Sequence, residues 1–104
     1  MDSLIQDLQK TIEALETLSE MPATAGDQID ELLDQLFQQK IDLVNATLNL
    51  SSHLFQETSH AMAAAASKAE RTVKDPSRVN ELTKGVSDAI TKLAKLLDSA
   101  AHIN

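Results

Sequence analysis

Between residues 27 and 73 the chain carries no glycine or proline, and its apolar positions recur without a slip. Phe37, Ile41, Val44, Leu48, Ser51, Phe55, Thr58, Met62, Ala65 and Ala69 follow one another at alternating steps of four and three, with Leu33 one step upstream. Such steps keep side chains on one face of a helix, so the pattern predicts a single helix over 27–73. Asp27, Asp30, Glu31 and Asp34 at its start, and Lys68, Arg71 and Lys74 at its end, complement the helix dipole and mark both termini. A second apolar line, Ile29, Leu36, Leu43 and Leu50, climbs the first half at seven-residue spacing and makes that half apolar on more than one side. The alanine-rich run at 61–66 predicts a thin helix suited to tight packing.

Two shorter helices flank this one. Ser3-Leu4-Ile5-Gln6 reads as a capping box, and Ile5, Leu8, Ile12 and Leu15, widened by Leu4 and Leu18, form the stripe of a helix over 3–20. Met21-Pro22-Ala23-Thr24-Ala25-Gly26 ends it, because proline removes a donor and glycine adds freedom. Asp75 and Pro76 suit a helix start, and Val79, Leu82, Val86, Ala89, Leu93, Leu96, Ala100 and Ile103 give a third helix over 76–102. Gly85, beside Val86, reads as a point of close helix approach. No run alternates β-branched and aromatic residues with polar ones, so the expectation is an all-α fold with 1–104 as a single domain.

Length then becomes an argument about assembly. A helix over 27–73 spans about 70 Å at 1.5 Å per residue, whereas a compact domain of this size is only about 33 Å across. The two flanking helices would each fold back on half of it, leaving apolar stripes in water unless a second chain covers them. The expected assembly is an antiparallel homodimeric four-helix bundle. Charge favours the antiparallel sense: residues 1–60 hold eleven acids and two bases, and residues 61–104 hold five acids and seven bases. The alternative is a break near 49–52, where Asn49, Ser51 and Ser52 can bond their own backbone. That break would give a monomeric up-down bundle of four helices.

Composition narrows the function. A net charge of −7 lacks the basic footprint of nucleic-acid binding, and no stretch reaches the ~20 apolar residues of a membrane span. There is no cysteine, and the acidic start Met1-Asp2-Ser3 lacks the basic and apolar regions of a signal peptide, so a soluble cytoplasmic protein is expected, with signal-less secretion compatible. With two glycines in total, neither a phosphate loop nor a nucleophile elbow is present, and no enzyme or cofactor is expected. His53, Glu57 and His60 fall at i, i+4 and i+7 and include one Glu-x-x-His fragment of the di-iron type. Such sites need a second motif, and the chain has one copy.

The function expected from these readings is a non-enzymatic helical interaction or oligomerisation module, an adaptor or chaperone-like protein. Its partner would be a second copy, a foreign helix, or both. The expected interface is Leu33, Phe37, Ile41, Val44, Leu48, Phe55, Met62, Ala65, Val86 and Leu93. Alternatives are a small helical component or chaperone of a larger assembly, such as a bacterial secretion system, and a metal-binding bundle.

Overall fold

Asn45 and Ser52 turn the expected central helix into two. In the computed structural model, which describes residues 2–21, 26–46, 48 and 52–102, the chain forms α1 (Asp2–Ser19), α2 (Gly26–Asn45), α3 (His53–Lys74) and α4 (Val79–His102). A single 3-10 turn (Pro76–Arg78) leads into α4. Among the described residues there is no strand, and no helix is long and apolar enough to cross a membrane. The turn expected at 22–25, the centre of the expected break at 49–51 and Ile103 at the end of the last stripe lie outside the described residues.

The continuous helix over 27–73 is therefore corrected to α2 and α3, and the local chemistry explains the stop. At the end of α2 the Asn45 side chain donates to the Ile41 carbonyl at 2.9 Å, and the Ala46 N–H falls back on Leu43 in a tightened last turn. At the start of α3, Ser52 is extended (φ −72°, ψ 152°), and its hydroxyl accepts from the Phe55 N–H at 3.1 Å. A cap of this kind contributes about 1 kcal/mol.

Packing supplies the larger reason. α3 buries Thr58, Met62, Ala65, Ala69 and Thr72, whereas α2 buries Ile29, Leu32, Leu33, Leu36 and Leu43. On an unbroken heptad the partners of Thr58 and Ala65 would be Phe37 and Val44. α2 instead turns in Leu36 and Leu43, one position earlier and so about 100° round the helix. One straight helix cannot present both faces to one core. Folding back buries each large side chain for about 1.5–3 kcal/mol, which outweighs the few helical hydrogen bonds given up at ~1 kcal/mol each.

The resulting body measures 45 × 20 × 19 Å, well short of the length a continuous central helix demands. α1 packs on α2 and α3, and α4 packs on the same two helices, so α1 and α4, like α2 and α3, face each other across diagonals. Ser3 and Asp7 lie beside Phe55 and Ser59, and Lys10 and Thr17 beside Glu70 and Lys74, so α1 and α3 run the same way. The Thr58 hydroxyl reaches the Lys92 carbonyl at 3.2 Å, while Lys68 meets Gly85 further along, so α4 runs opposite to α3. One core cluster draws on all four helices, with Leu8, Leu36, Met62 and Leu93 fully buried. The four helices thus cover one another's stripes within one chain, and the case for a second chain from helix length loses its premise.

The corner between α3 and α4 carries Asp75. Its N–H donates to the Arg71 and Thr72 carbonyls, closing α3, and its carboxylate accepts from the Ser77 hydroxyl at 2.6 Å and Arg78 Nε at 3.3 Å. The Ser77 hydrogen bond, with help from the Arg78 guanidinium, holds this carboxyl below the usual aspartate range.

Gly85 does not mark a close backbone approach. A Cβ there would sit 3.3 Å from Cδ of Lys68, an exposed and flexible side chain that can give way. Gly85→Ala is expected to stabilise the fold by about 0.5–1 kcal/mol through helix propensity, read as an upward shift of the urea midpoint at unchanged slope. Gln39 is a different kind of imperfection: its Nε2 donates to the Ile90 carbonyl at 2.9 Å, but its Oε1 is buried without a partner. Gln39→Met removes the orphaned acceptor at nearly constant volume and leaves the Ile90 carbonyl in the α4 ladder. A gain of about 1 kcal/mol is expected, with a melting temperature roughly 4–8 °C higher.

Candidate interaction surface

The expected interface residues separate into three groups in the fold. Leu33, Met62, Ala65, Val86 and Leu93 are buried in the chain's own core. Leu48 and Phe55 are half-buried and packed against it, near the α2–α3 link. Phe37, Ile41 and Val44 are in neither group: they are 43%, 57% and 62% exposed, the large apolar side chains left in water among the described residues.

Helix geometry explains why these three stay outside. Gln39 meets Ile90 of α4 from one shoulder of α2, and the Lys40 ammonium meets the Gln9 amide of α1 from the other. With Leu36 and Leu43 pointing to the core between those contacts, Phe37, Ile41 and Val44 fall beyond Lys40, on the outer α1 side of the helix. Spaced at i, i+4 and i+7, they form a strip two turns long.

Charge borders the strip. Asp30 and Asp34 stand one heptad before Phe37 and Ile41 on the same face of α2, and both are exposed. On α1, Ile5, Gln9, Ile12 and Glu16 share the face on which Gln9 receives Lys40. Ile5 is half-buried there and Glu16 exposed, and Gln9 also donates to Glu13 at 3.1 Å. The surface is therefore an apolar strip with an acidic rim, and the one cation on α2, Lys40, is engaged with Gln9. The opposite side of the molecule, at the α3–α4 corner, brings Lys68, Arg71 and Arg78 together around a small cleft with Glu81.

The metal reading gains nothing from the fold. His53, Glu57 and His60 are all exposed on α3, and among the described residues no three His, Cys, Asp or Glu side chains come together as a group able to hold a metal ion. Comparison with protein-family models, with curated proteins and with solved structures finds no match to this chain.

Proposed function

We propose that this chain is a non-enzymatic helical interaction module that recruits its partner through Phe37, Ile41 and Val44. The observation behind this reading is the exposure of all three at helical spacing on a helix whose other large apolar residues are buried. Scattered surface hydrophobics are ordinary; an aligned phenylalanine, isoleucine and valine resemble the anchor pattern of helix-in-groove recognition. An adaptor, a chaperone-like protein and a small subunit of a larger assembly, such as a secretion apparatus, all operate through such a surface. Which of these roles it serves depends on what binds.

A photo-crosslinking residue placed at Ile41, and as a control at the exposed Ala94 of α4, tests the surface in the native cell. Discrete adducts from position 41, absent from position 94, are expected. Their mass separates a second copy of this chain from a foreign partner. The reading fails if position 41 yields no adduct, or the same adducts as position 94.

A further inference from the structure

We infer that the strip takes a short amphipathic helix with basic flanks, and not a second copy of this chain; the inference rests on the strip being an interaction surface. Residues 1–45 carry ten acids and two bases, whereas residues 46–104 carry six acids and seven bases, so the excess negative charge sits with α1 and α2. A two-fold dimer through the strip is isologous, with the same patch on both sides. It would bring the acidic rim of both chains, Glu16, Asp30 and Asp34 twice over, into one interface, with no free cation on α2 to offset them. The basic cluster that could offset them lies on the α3–α4 side, across the ring from the strip. A contact from strip to that cluster runs head to tail and does not close on a pair.

Area points the same way. The three exposed side chains offer on the order of 300 Å² of apolar surface, against about 800 Å² per partner in a standard stable interface. The length from Phe37 to Val44, about 10 Å at 1.5 Å per residue, matches two turns of a partner helix. An apolar stripe on that helix would cover the strip, and lysine or arginine on its flanks would meet the rim at Glu16, Asp30 and Asp34. Complementary charge of this kind governs partner choice more than raw affinity.

Fluorescence anisotropy with three synthetic 18-residue peptides tests this on the full chain. One carries leucines at i, i+3, i+4 and i+7 flanked by lysines; the second has the same leucines flanked by glutamates; the third scrambles the first. The lysine-flanked peptide is expected to bind at roughly tens of micromolar, in keeping with so small an interface. Its affinity should fall tenfold or more in Ile41→Ser and in Phe37→Ser, which leave the protein's charge unchanged, and should weaken as salt is raised. Equal binding of the glutamate-flanked peptide overturns the basic flanks. Binding of the scrambled peptide, or undiminished binding to both serine variants, reduces the effect to bulk charge and overturns the strip. A dimeric mass for the wild-type chain that becomes monomeric in Ile41→Ser assigns the strip to a second copy and overturns the inference. If no peptide binds while position 41 still crosslinks in cells, the partner chemistry is wrong and the interaction surface stands.

Discussion

Leu36→Asp is expected to leave the chain unfolded at room temperature, whereas Ile41→Asp, little more than a turn along the same helix, leaves it folded. Leu36 is fully buried and Ile41 is 57% exposed. Truncating a buried leucine to alanine already costs about 2–5 kcal/mol. Aspartate adds the desolvation of a carboxylate with no partner, or the free energy of protonating it at neutral pH. A domain of this size has only about 5–15 kcal/mol of stability in total, so the substitution removes most or all of it. At Ile41 the new carboxylate stays in water, and a change within about 0.5 kcal/mol is expected. Circular dichroism at 222 nm with a thermal melt reads both variants. If Ile41→Asp unfolds the chain and Leu36→Asp does not, the heptad line through Phe37, Ile41 and Val44 is the core and the helix is rotated from the position described above.

That comparison also shows where the sequence was legible. The all-α class and the first helix to within a residue followed from stripes and stop signals, as did the last helix except for its start, which is Val79 after a 3-10 turn and not residue 76, and those stripes supply Leu8, Ile12, Leu82, Val86 and Leu93 to the core. Helix capping was less legible: Ser3, expected as a cap, lies inside α1, whereas the acidic start expected at Asp27 does fall in the first turn of α2. The central break was hidden by arithmetic. The link between α2 and α3 occupies residues 46–52, the length of one heptad, so a seven-residue period survives in the numbering whether or not the backbone is helical there. The signal that could have exposed it lay in α2. Followed back towards the helix start, the line through Phe37 and Ile41 meets Leu33 but also Asp30 and Asp34, one heptad before Phe37 and Ile41, while the line through Leu36 and Leu43 meets Ile29 and stays apolar, with Leu32 beside it. A core face does not tolerate two aspartates, so the second line had the stronger claim to burial. The same arrangement leaves Phe37, Ile41 and Val44 of the first line in water, where the proposed partner would meet them.

Ala69→Leu is expected to destabilise the fold by about 1–3 kcal/mol, the usual cost of forcing extra methylenes into a well-packed core. α3 is the helix most extensively packed against its two neighbours, α1 and α4, and it does so with small side chains: Ala65, Ala66 and Ala69 are buried, while Ala63 and Ala64 face water. Thin side chains let neighbouring helices approach closely, and a larger residue at Ala69 must either leave its rotamer well or push α1 or α4 outward. Ala64→Leu serves as the control, since the same three added carbons there meet solvent and the helix propensity of leucine is close to that of alanine. Urea denaturation should show a lower midpoint for Ala69→Leu and a midpoint within error of wild type for Ala64→Leu, at unchanged slope for both. A stabilised Ala69→Leu would mean that a cavity lies against α3, and the alanines would then reflect helix propensity alone. A destabilised one ties the alanine run to the way α3 holds the other helices, which fixes α2 and with it the outward angle of Phe37, Ile41 and Val44.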